Sequence, residues 1–128
     1  MKTTALNTVE NWTHPLWTVA LKEALQNGTE NTQVGEHLLL ETDEFKVWSI
    51  HLPAGQALPF HKHNKPYFYT IKEEGKSRSF YADGSITETS YQKDDIKYFN
   101  DLSEENYYIH NLENIGDTPL VFTTVEFK

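Results

Sequence analysis

The stretch GQALPFHKHNKPYFYTIKEEG, from Gly55 to Gly75, places two histidines one residue apart beside a run of aromatic and β-branched residues. Residues of these types are enriched in β-strands. Because successive side chains of a strand point to opposite faces, His61 and His63 project to one face and Lys62 to the other. The stretch therefore predicts β-structure in which two imidazoles meet, which is half of a metal site.

Composition narrows the classes of partner. A chain of 128 residues suits one domain, and its 19 Asp and Glu against 11 Lys and Arg give a net charge of -8, which disfavours nucleic acid and anionic membranes. The chain has no cysteine, so any metal must be held by histidine, carboxylate or tyrosine. The N-terminal stretch is too polar for a signal peptide, and no apolar run approaches the roughly 18 residues of a membrane span. These features predict a cytoplasmic protein.

Hydrophobic periodicity predicts one helix followed by strands. Apolar residues recur at three- and four-residue spacing over Pro15–Asn27. Beyond residue 32 the period is two, and turn formers such as Asp83-Gly84 separate the strands, which indicates an antiparallel sandwich or barrel. The predicted organisation is a helical segment over 1–32 and a β-barrel domain over 33–128. The predicted strands, about eight in number, are Val34–Glu41, Phe45–Leu52, Pro66–Lys72, Ser77–Ala82, Ser85–Tyr91, Ile96–Asn100, Asn106–Leu112 and Leu120–Phe127.

A third histidine completes the candidate site. His110 lies in another predicted strand, which antiparallel pairing could bring opposite His61 and His63. Three neutral imidazoles suit one divalent transition metal, such as iron, zinc, nickel or manganese, and leave positions open for water or substrate. The alternative is a solvated loop around residues 61–63 with His110 as a polar residue of an edge strand. Structural roles are predicted for the remaining histidines, His14, His37 and His51.

The spacing of these residues resembles the two motifs of the cupin superfamily, G-x5-H-x-H-x3,4-E-x6-G and a second motif that ends in H-x3-N. The resemblance covers most of the chain and implies an antiparallel jelly-roll barrel. The segments LPFHKHNKPY, YADG and HNLENIGDTPLVFTTVEF are more narrowly similar to small single-domain cupins that include a β-alanine degradation protein. The residues that match the motifs are Gly55, His61, His63, Gly75, His110 and Asn114.

Two features depart from that pattern. The metal-binding glutamate of the first motif is replaced by Tyr67 or by Phe68, depending on the spacing, and the proline-glycine part of the second motif is absent before His110. Strand alternation places Tyr67 and Tyr69 on one face and Phe68 on the other, and leaves open which face lines the cavity. If the tyrosines face inward, their phenols could bind substrate, donate a proton or, with a lowered pKa, act as a base. The alternative is that they fill the core.

The expected chemistry follows from the ligand set. Three histidines without a carboxylate keep the full +2 charge of the metal, which favours anionic or chelating metabolites. By resemblance, cupins of this kind include iron-dependent dioxygenases. The alternatives are a Lewis-acid isomerase or lyase, in which a tyrosine moves the proton, and a non-enzymatic cupin that binds or senses a small molecule. Tyr67 and Tyr69 are the candidate catalytic residues, and the predicted substrate contacts are Gln56, Trp48, Tyr108 and Phe122.

The predicted helix carries an apolar stripe of Trp17, Leu21 and Leu25 that must be buried against its own barrel or a second subunit. Homodimers are the commonest assembly, and many relatives in the cupin superfamily pair through their N-terminal segments. The sequence therefore predicts a homodimer whose interface includes part of the first 30 residues or an edge strand.

Overall fold

The computed structural model describes residues 1–128 and consists of two five-stranded antiparallel sheets and one helix. The first sheet has the strand order β1-β7-β6-β9-β4, and the second has the order β2-β3-β10-β5-β8. The chain crosses between the sheets at almost every connection, as in a jelly-roll barrel. The elements are β1 Lys2–Asn7, α1 Val19–Gly28, β2 His37–Glu41, β3 Phe45–Leu52, β4 Ala57–His63, β5 Tyr67–Ile71, β6 Gly75–Phe80, β7 Ile86–Tyr91, β8 Ile96–Phe99, β9 Tyr108–Asn114 and β10 Leu120–Phe127.

The eight predicted strands are all present, and two further strands were missed. The strand β1 is polar and pairs with β7 at the edge of the first sheet, so segment 1–32 is not purely helical. The sequence does not predict the strand β4, which contains His61 and His63, because Pro59 interrupts its pattern. The predicted hairpin at Asp83-Gly84 is confirmed, since Gly84 adopts a φ of 91° in the turn between β6 and β7.

The helix begins four residues later than Pro15. Thr18 is its N-cap, and the Thr18 hydroxyl accepts a hydrogen bond of 3.1 Å from the Leu21 N–H. Trp17 therefore precedes α1, and its indole N–H donates to the Gly84 carbonyl at 2.9 Å. Gly28 lets the end of α1 approach β4 closely, because a Cβ at this position would lie 2.5 Å from the Cβ of Phe60.

The apolar stripe of the N-terminal segment is buried within one chain. Trp17 and Leu25 are buried, and Leu21 packs beside them. Together with the segment before it, α1 covers part of the outer face of the first sheet, so the stripe needs no partner subunit. The sheet residues under this cover are Phe60, Phe80, Ile86 and Ile109.

A second apolar cluster fills one end of the space between the two sheets. Its members include Ile71 and Leu120, which are almost completely buried. Next to it, the buried Asn114 donates from Nδ2 to the Leu52 and Thr118 carbonyls, and its Oδ1 accepts from the Gly116 N–H. The motif asparagine therefore fixes the turn between β9 and β10. The single helix lacks the length and apolar character needed to cross a membrane.

Candidate metal centre

Antiparallel pairing of β4 with β9 brings three histidines together inside the barrel. His61 lies directly opposite His110, and His63 lies opposite Tyr108. The ring centroid of His61 is 4.8 Å from that of His63 and 4.8 Å from that of His110. The centroids of His63 and His110 are 5.1 Å apart. One ligand nitrogen from each residue falls within 4.8 Å of the others. The predicted convergence of His61, His63 and His110 is therefore confirmed.

A β-bulge in β4 orients the first of these imidazoles. The register shifts between Leu58 and His61, so that both side chains are buried in the interior although three positions separate them. Pro59 lies within the bulge, where its missing N–H costs no ladder bond. The His61 Nδ1–H donates to the Pro59 carbonyl at 2.7 Å, which leaves the lone pair on Nε2. That Nε2 lies 3.0 Å from the Nε2 of His63.

Burial keeps all three imidazoles neutral. Burial lowers the pKa of His61 to about 4, although the hydrogen bond to Pro59 opposes the shift. The pKa values of His63 and His110 lie well below the ordinary value, mainly through burial and also through the neighbouring imidazoles. The Nδ1 atoms of His63 and His110 are buried without a hydrogen-bond partner. Neutral imidazoles with unsatisfied nitrogens are a donor set that fits a divalent transition metal.

Tyr67, one of the two candidates for the position of the motif glutamate, faces inward and packs directly on the cluster. Its ring stacks on His63 at a centroid distance of 4.2 Å and on Phe99 at 4.6 Å. Its hydroxyl is hydrogen-bonded to that of Tyr108. Phe68 points to the opposite side of the sheet and contacts Tyr98, which settles the question of facing that the sequence left open.

Tyr67, Tyr69 and Tyr108 are suited to donate a proton rather than to accept one. Burial raises the pKa of Tyr67 well above its ordinary value, and burial also raises the pKa values of Tyr69 and Tyr108. All three therefore remain protonated phenols at neutral pH, and their surroundings do not favour the general-base role. Tyr69 lies farther from the histidines, where its hydroxyl donates to the Met1 sulfur at 3.3 Å and its ring meets Phe122 edge to face.

The predicted substrate contacts divide into two groups. Tyr108 and Phe122 line the cavity beside the histidines. Trp48 is buried but is not part of the cavity lining, and its indole N–H donates to the Glu126 carboxylate at 3.2 Å. Gln56 is exposed in the turn before β4 and is also outside the lining. The structure therefore places Gln56 and Trp48 outside the cavity lining, and Tyr108 and Phe122 within it.

The cavity next to the histidines has a volume of about 490 Å³ and a wall that the sequence reasoning missed. Hydroxyl side chains from β6 and β7 line it, together with Tyr81 and Tyr91. The Ser77 and Tyr91 hydroxyls are hydrogen-bonded at 2.8 Å. The only signal in the sequence is the period-two arrangement of these residues, which is usually typical of a solvent-facing strand. This hydroxyl wall consists of Ser77, Ser79, Thr87 and Thr89.

Charged side chains lie where the cavity meets solvent. Lys97, Asp83 and Asp101 line the cavity and are exposed. The Lys97 ammonium lies 5.0 Å from the centroid of the Phe99 ring. The interior around the histidines is therefore neutral and polar, and formal charges are confined to the opening.

Solved structures share this fold. The chain is similar to a cupin domain from Bordetella pertussis Tohama I, with a TM-score of 0.62 and 21% identity over 79% of this chain and 99% of that one. It is also similar to an uncharacterised protein with a double-stranded β-helix domain from Klebsiella pneumoniae, with a TM-score of 0.56, 20% identity and coverage of 80% and 85%. A cupin of the RmlC-like type from Methanocaldococcus jannaschii gives a TM-score of 0.55, 20% identity and coverage of 77% and 86%.

These similarities define the class of structure. The protein has the cupin fold, the double-stranded β-helix that its motifs predict. No protein-family model matches the chain, and no curated protein is significantly similar to it.

Proposed function

We propose that the protein binds one divalent transition metal through His61, His63 and His110 and acts on a small anionic or chelating metabolite. The observation that carries the proposal is the convergence of three neutral imidazoles beside a cavity, with buried ring nitrogens that no protein group satisfies. Such an arrangement is costly for a purely structural core, because buried polar atoms without partners destabilise the folded state. A metal bound at the facing Nε2 atoms of His61 and His63 would add binding free energy that offsets this cost.

The lining of the cavity indicates the size and polarity of the metabolite. A volume of about 490 Å³ suits a small molecule rather than a polymer. Neutral ligands leave the whole +2 charge of the ion on the substrate side, which favours a carboxylate or another chelating group. The hydroxyl wall supplies donors and acceptors for further polar groups. Small amino- and hydroxycarboxylates are therefore the first substrates to test, and the narrower sequence resemblance to a β-alanine degradation cupin points to the same class.

The reaction that we propose is an oxidation by dioxygen at an iron centre. When bound, iron would supply the redox chemistry that side chains lack and would hold substrate and dioxygen together. The chain itself would fix the orientation of His61 through Pro59, hold Tyr67 against His63 and offer the Tyr67–Tyr108 phenols as hydrogen-bond donors to the substrate. The ligand cluster contains no carboxylate, which is the feature that favours this reaction within the fold.

A second candidate is a Lewis-acid isomerase or lyase. The observation in its favour is the pair of protonated phenols, Tyr67 and Tyr108, beside the histidines, because a phenol in this position could donate a proton to a substrate bound in the cavity. A non-enzymatic binding role uses the same cavity without turnover. The acidic, cysteine-free composition continues to predict a cytoplasmic location.

Metal binding is tested with protein made without a histidine tag. We expect close to one equivalent of metal in the wild type by mass spectrometry, and almost none in a His61→Ala, His110→Ala double variant. A His37→Ala, His51→Ala double variant is the matched control, since it removes the same number of imidazoles from exposed positions. Equal metal content in all three proteins would contradict the proposal.

The reaction is tested separately. Iron-loaded protein is mixed with amino- and hydroxycarboxylates while dissolved oxygen is followed with an electrode, and we expect uptake that the double variant at residues 61 and 110 lacks. Isomer or elimination products without oxygen uptake would assign the Lewis-acid reaction. Tight binding of a carboxylate with neither product nor oxygen uptake would assign the binding role.

A further inference from the structure

The outer face of the second sheet carries a continuous apolar row with no cover. Cross-strand pairing aligns one residue from each of the five strands, and all five point away from the barrel interior. The row runs through the centre of the sheet from one edge to the other. In spatial order, the apolar row consists of Leu40, Val47, Val125, Phe68 and Tyr98.

No residue of the apolar row is buried. Leu40 is 50% exposed and Tyr98 is 59% exposed, and the three members between them are partly exposed. Phe127 extends the row along β10, with its ring centroid 6.0 Å from that of Phe68. None of the outward-facing strand residues of this sheet is Asp, Glu, Lys or Arg, although charged residues make up 23% of the chain. A face with an apolar row across all five strands and no carboxylate, ammonium or guanidinium group is typical of an interface.

The outer face of the first sheet differs, because its apolar part is covered and its exposed part is charged. Its apolar part lies under α1 and the segment before it. Its open part carries charge, including an ion pair in which Arg78 donates to Glu88 at 2.6 Å. The second sheet has neither a covering helix nor outward charges.

We propose that a second copy of this chain covers the apolar row and forms a face-to-face homodimer of second sheets. With about 4.8 Å between strands and about 3.3 Å per residue, the face measures roughly 20 Å by 20 Å. With the relief of its side chains, that area is of the same order as the about 800 Å² per partner of a standard interface. The row is centred on Val125, in the middle strand β10, so a two-fold axis near this residue matches each half of the row to the other half of its copy.

The distribution of charge disfavours an anionic lipid surface but permits a second copy of this chain. Each copy has a net charge of -8, but the contact itself is uncharged, and charges begin at its rim, as in the pair formed by Lys128 and Glu41 at 2.7 Å. Two such faces can therefore approach with their acidic groups at the periphery, where solvent screens them. The arrangement resembles the apolar centre and polar rim of known interfaces.

The proposal is tested by sedimentation of the metal-loaded wild type, with an expected mass of twice 14.9 kDa at about 50 μM, a concentration at which a dimer with micromolar Kd is mostly assembled. Val125→Glu places two like charges together near the axis and should raise the dimer Kd by at least about 100-fold. Ser90→Glu adds the same charge to an exposed position of the first sheet and should leave the dimer intact. A monomeric wild type, or a Val125→Glu protein that stays dimeric, overturns the proposal.

Two further variants guard against misfolding and identify the face. Tyr98→Glu alters a side chain that is mostly exposed in one chain, so the fold should persist while the dimer weakens. Because the chain has no native cysteine, Val125→Cys should give a covalent dimer with a bifunctional maleimide that spans about 10 Å, the distance between packed sheets, and Ser90→Cys should not. Dimerisation that is unaffected by Tyr98→Glu, together with equal cross-linking at both cysteines, would show that another surface mediates assembly.

Discussion

The two ends of the space between the sheets differ in what they contribute. One end holds the apolar cluster around Ile71 and Leu120, in which every buried side chain gains from leaving water. The other end holds His61, His63 and His110, whose pKa values are lowered by burial and of which two keep an unsatisfied nitrogen. The apolar end stabilises the fold, whereas the buried histidines, two of which have an unsatisfied nitrogen, reduce its stability.

The same strands contribute to both ends. The strand β4 has Leu58 at the apolar end and His63 at the other, and β9 has Leu112 and His110 in the same relation. A single pair of strands therefore holds the ligands against a rigid apolar base. We expect substitutions at the two ends to separate metal affinity from stability, and four experiments test this comparison.

The largest effect is expected for His63→Ala. The substitution removes one of three ligands, and we expect the affinity for divalent metal to fall by at least about 1,000-fold, or about 4 kcal/mol. The free energy of unfolding of the metal-free protein should change by less than about 1 kcal/mol, because the lost imidazole has an unsatisfied nitrogen. Calorimetric titration and urea denaturation measure the two quantities. A metal-free variant that is destabilised by several kcal/mol would show that the histidines hold the fold.

Leu120→Ala should have the opposite effect. Leu120 is completely buried in the apolar cluster, and its truncation should lower the free energy of unfolding by about 3 to 4 kcal/mol. Metal affinity should stay within about threefold of the wild type, because the histidines lie at the other end. Leu39→Ala is the matched control, since Leu39 is 60% exposed and should contribute less than about 0.5 kcal/mol. Equal destabilisation by the two substitutions would remove the distinction between the ends.

The sequence predicted most of the fold because its strands follow the usual signals. Period-two patterns and the Asp83-Gly84 turn located eight strands, and the spacing of His61, His63 and His110 predicted that these histidines cluster. The errors have physical causes. The strand β1 consists mostly of polar side chains at a sheet edge, Pro59 hides β4 by creating a bulge, and Thr18 caps the helix after Pro15 has already appeared to start it.

The hydroxyl wall could not be predicted for a different reason. Sequence reasoning assigns the polar positions of a strand to solvent, but in β6 and β7 Ser77 and Thr89 face the cavity. On the same strands, Phe80 and Ile86 face outward, where the N-terminal segment and α1 cover them. In these two strands the polar residues therefore face the interior and the apolar residues face outward. This arrangement is evident only from the position of α1.

The third experiment examines how stability depends on pH in the metal-free protein. The pKa of His61 is about 4 in the folded state and about 6.5 in the unfolded chain, so between these values only the unfolded chain binds the proton. Stability is complete above about pH 6.5 and declines as the pH falls toward 4, by about 3 kcal/mol for this residue. His63 and His110 act in the same direction.

Urea denaturation at several pH values, with chelator present, measures this decline. A His61→Gln variant should lose less stability over the same interval, because it lacks the titrating ring while its carboxylates are unchanged. Glu126, whose pKa is raised by burial, acts in the opposite direction, since the folded state takes up its proton first. Parallel curves for wild type and variant would mean that His61 does not titrate as its burial requires.

The smallest effect is expected at the histidine end itself, for Tyr67→Phe. The substitution keeps the ring that stacks on His63 but leaves the buried Tyr108 hydroxyl without its partner, which should cost about 1 kcal/mol of stability. Metal affinity should be unchanged, because the ligands are intact. If the phenol binds the metabolite, affinity for a small carboxylate should fall by about tenfold in the metal-loaded protein. Tyr69→Phe is the control, since the Tyr69 hydroxyl donates to the Met1 sulfur and lies farther from the histidines, and the change should alter carboxylate affinity by less than about twofold. Equal losses of carboxylate affinity in the two variants would place the bound carboxylate away from Tyr67, whereas a loss confined to Tyr67→Phe would place it against the histidine end.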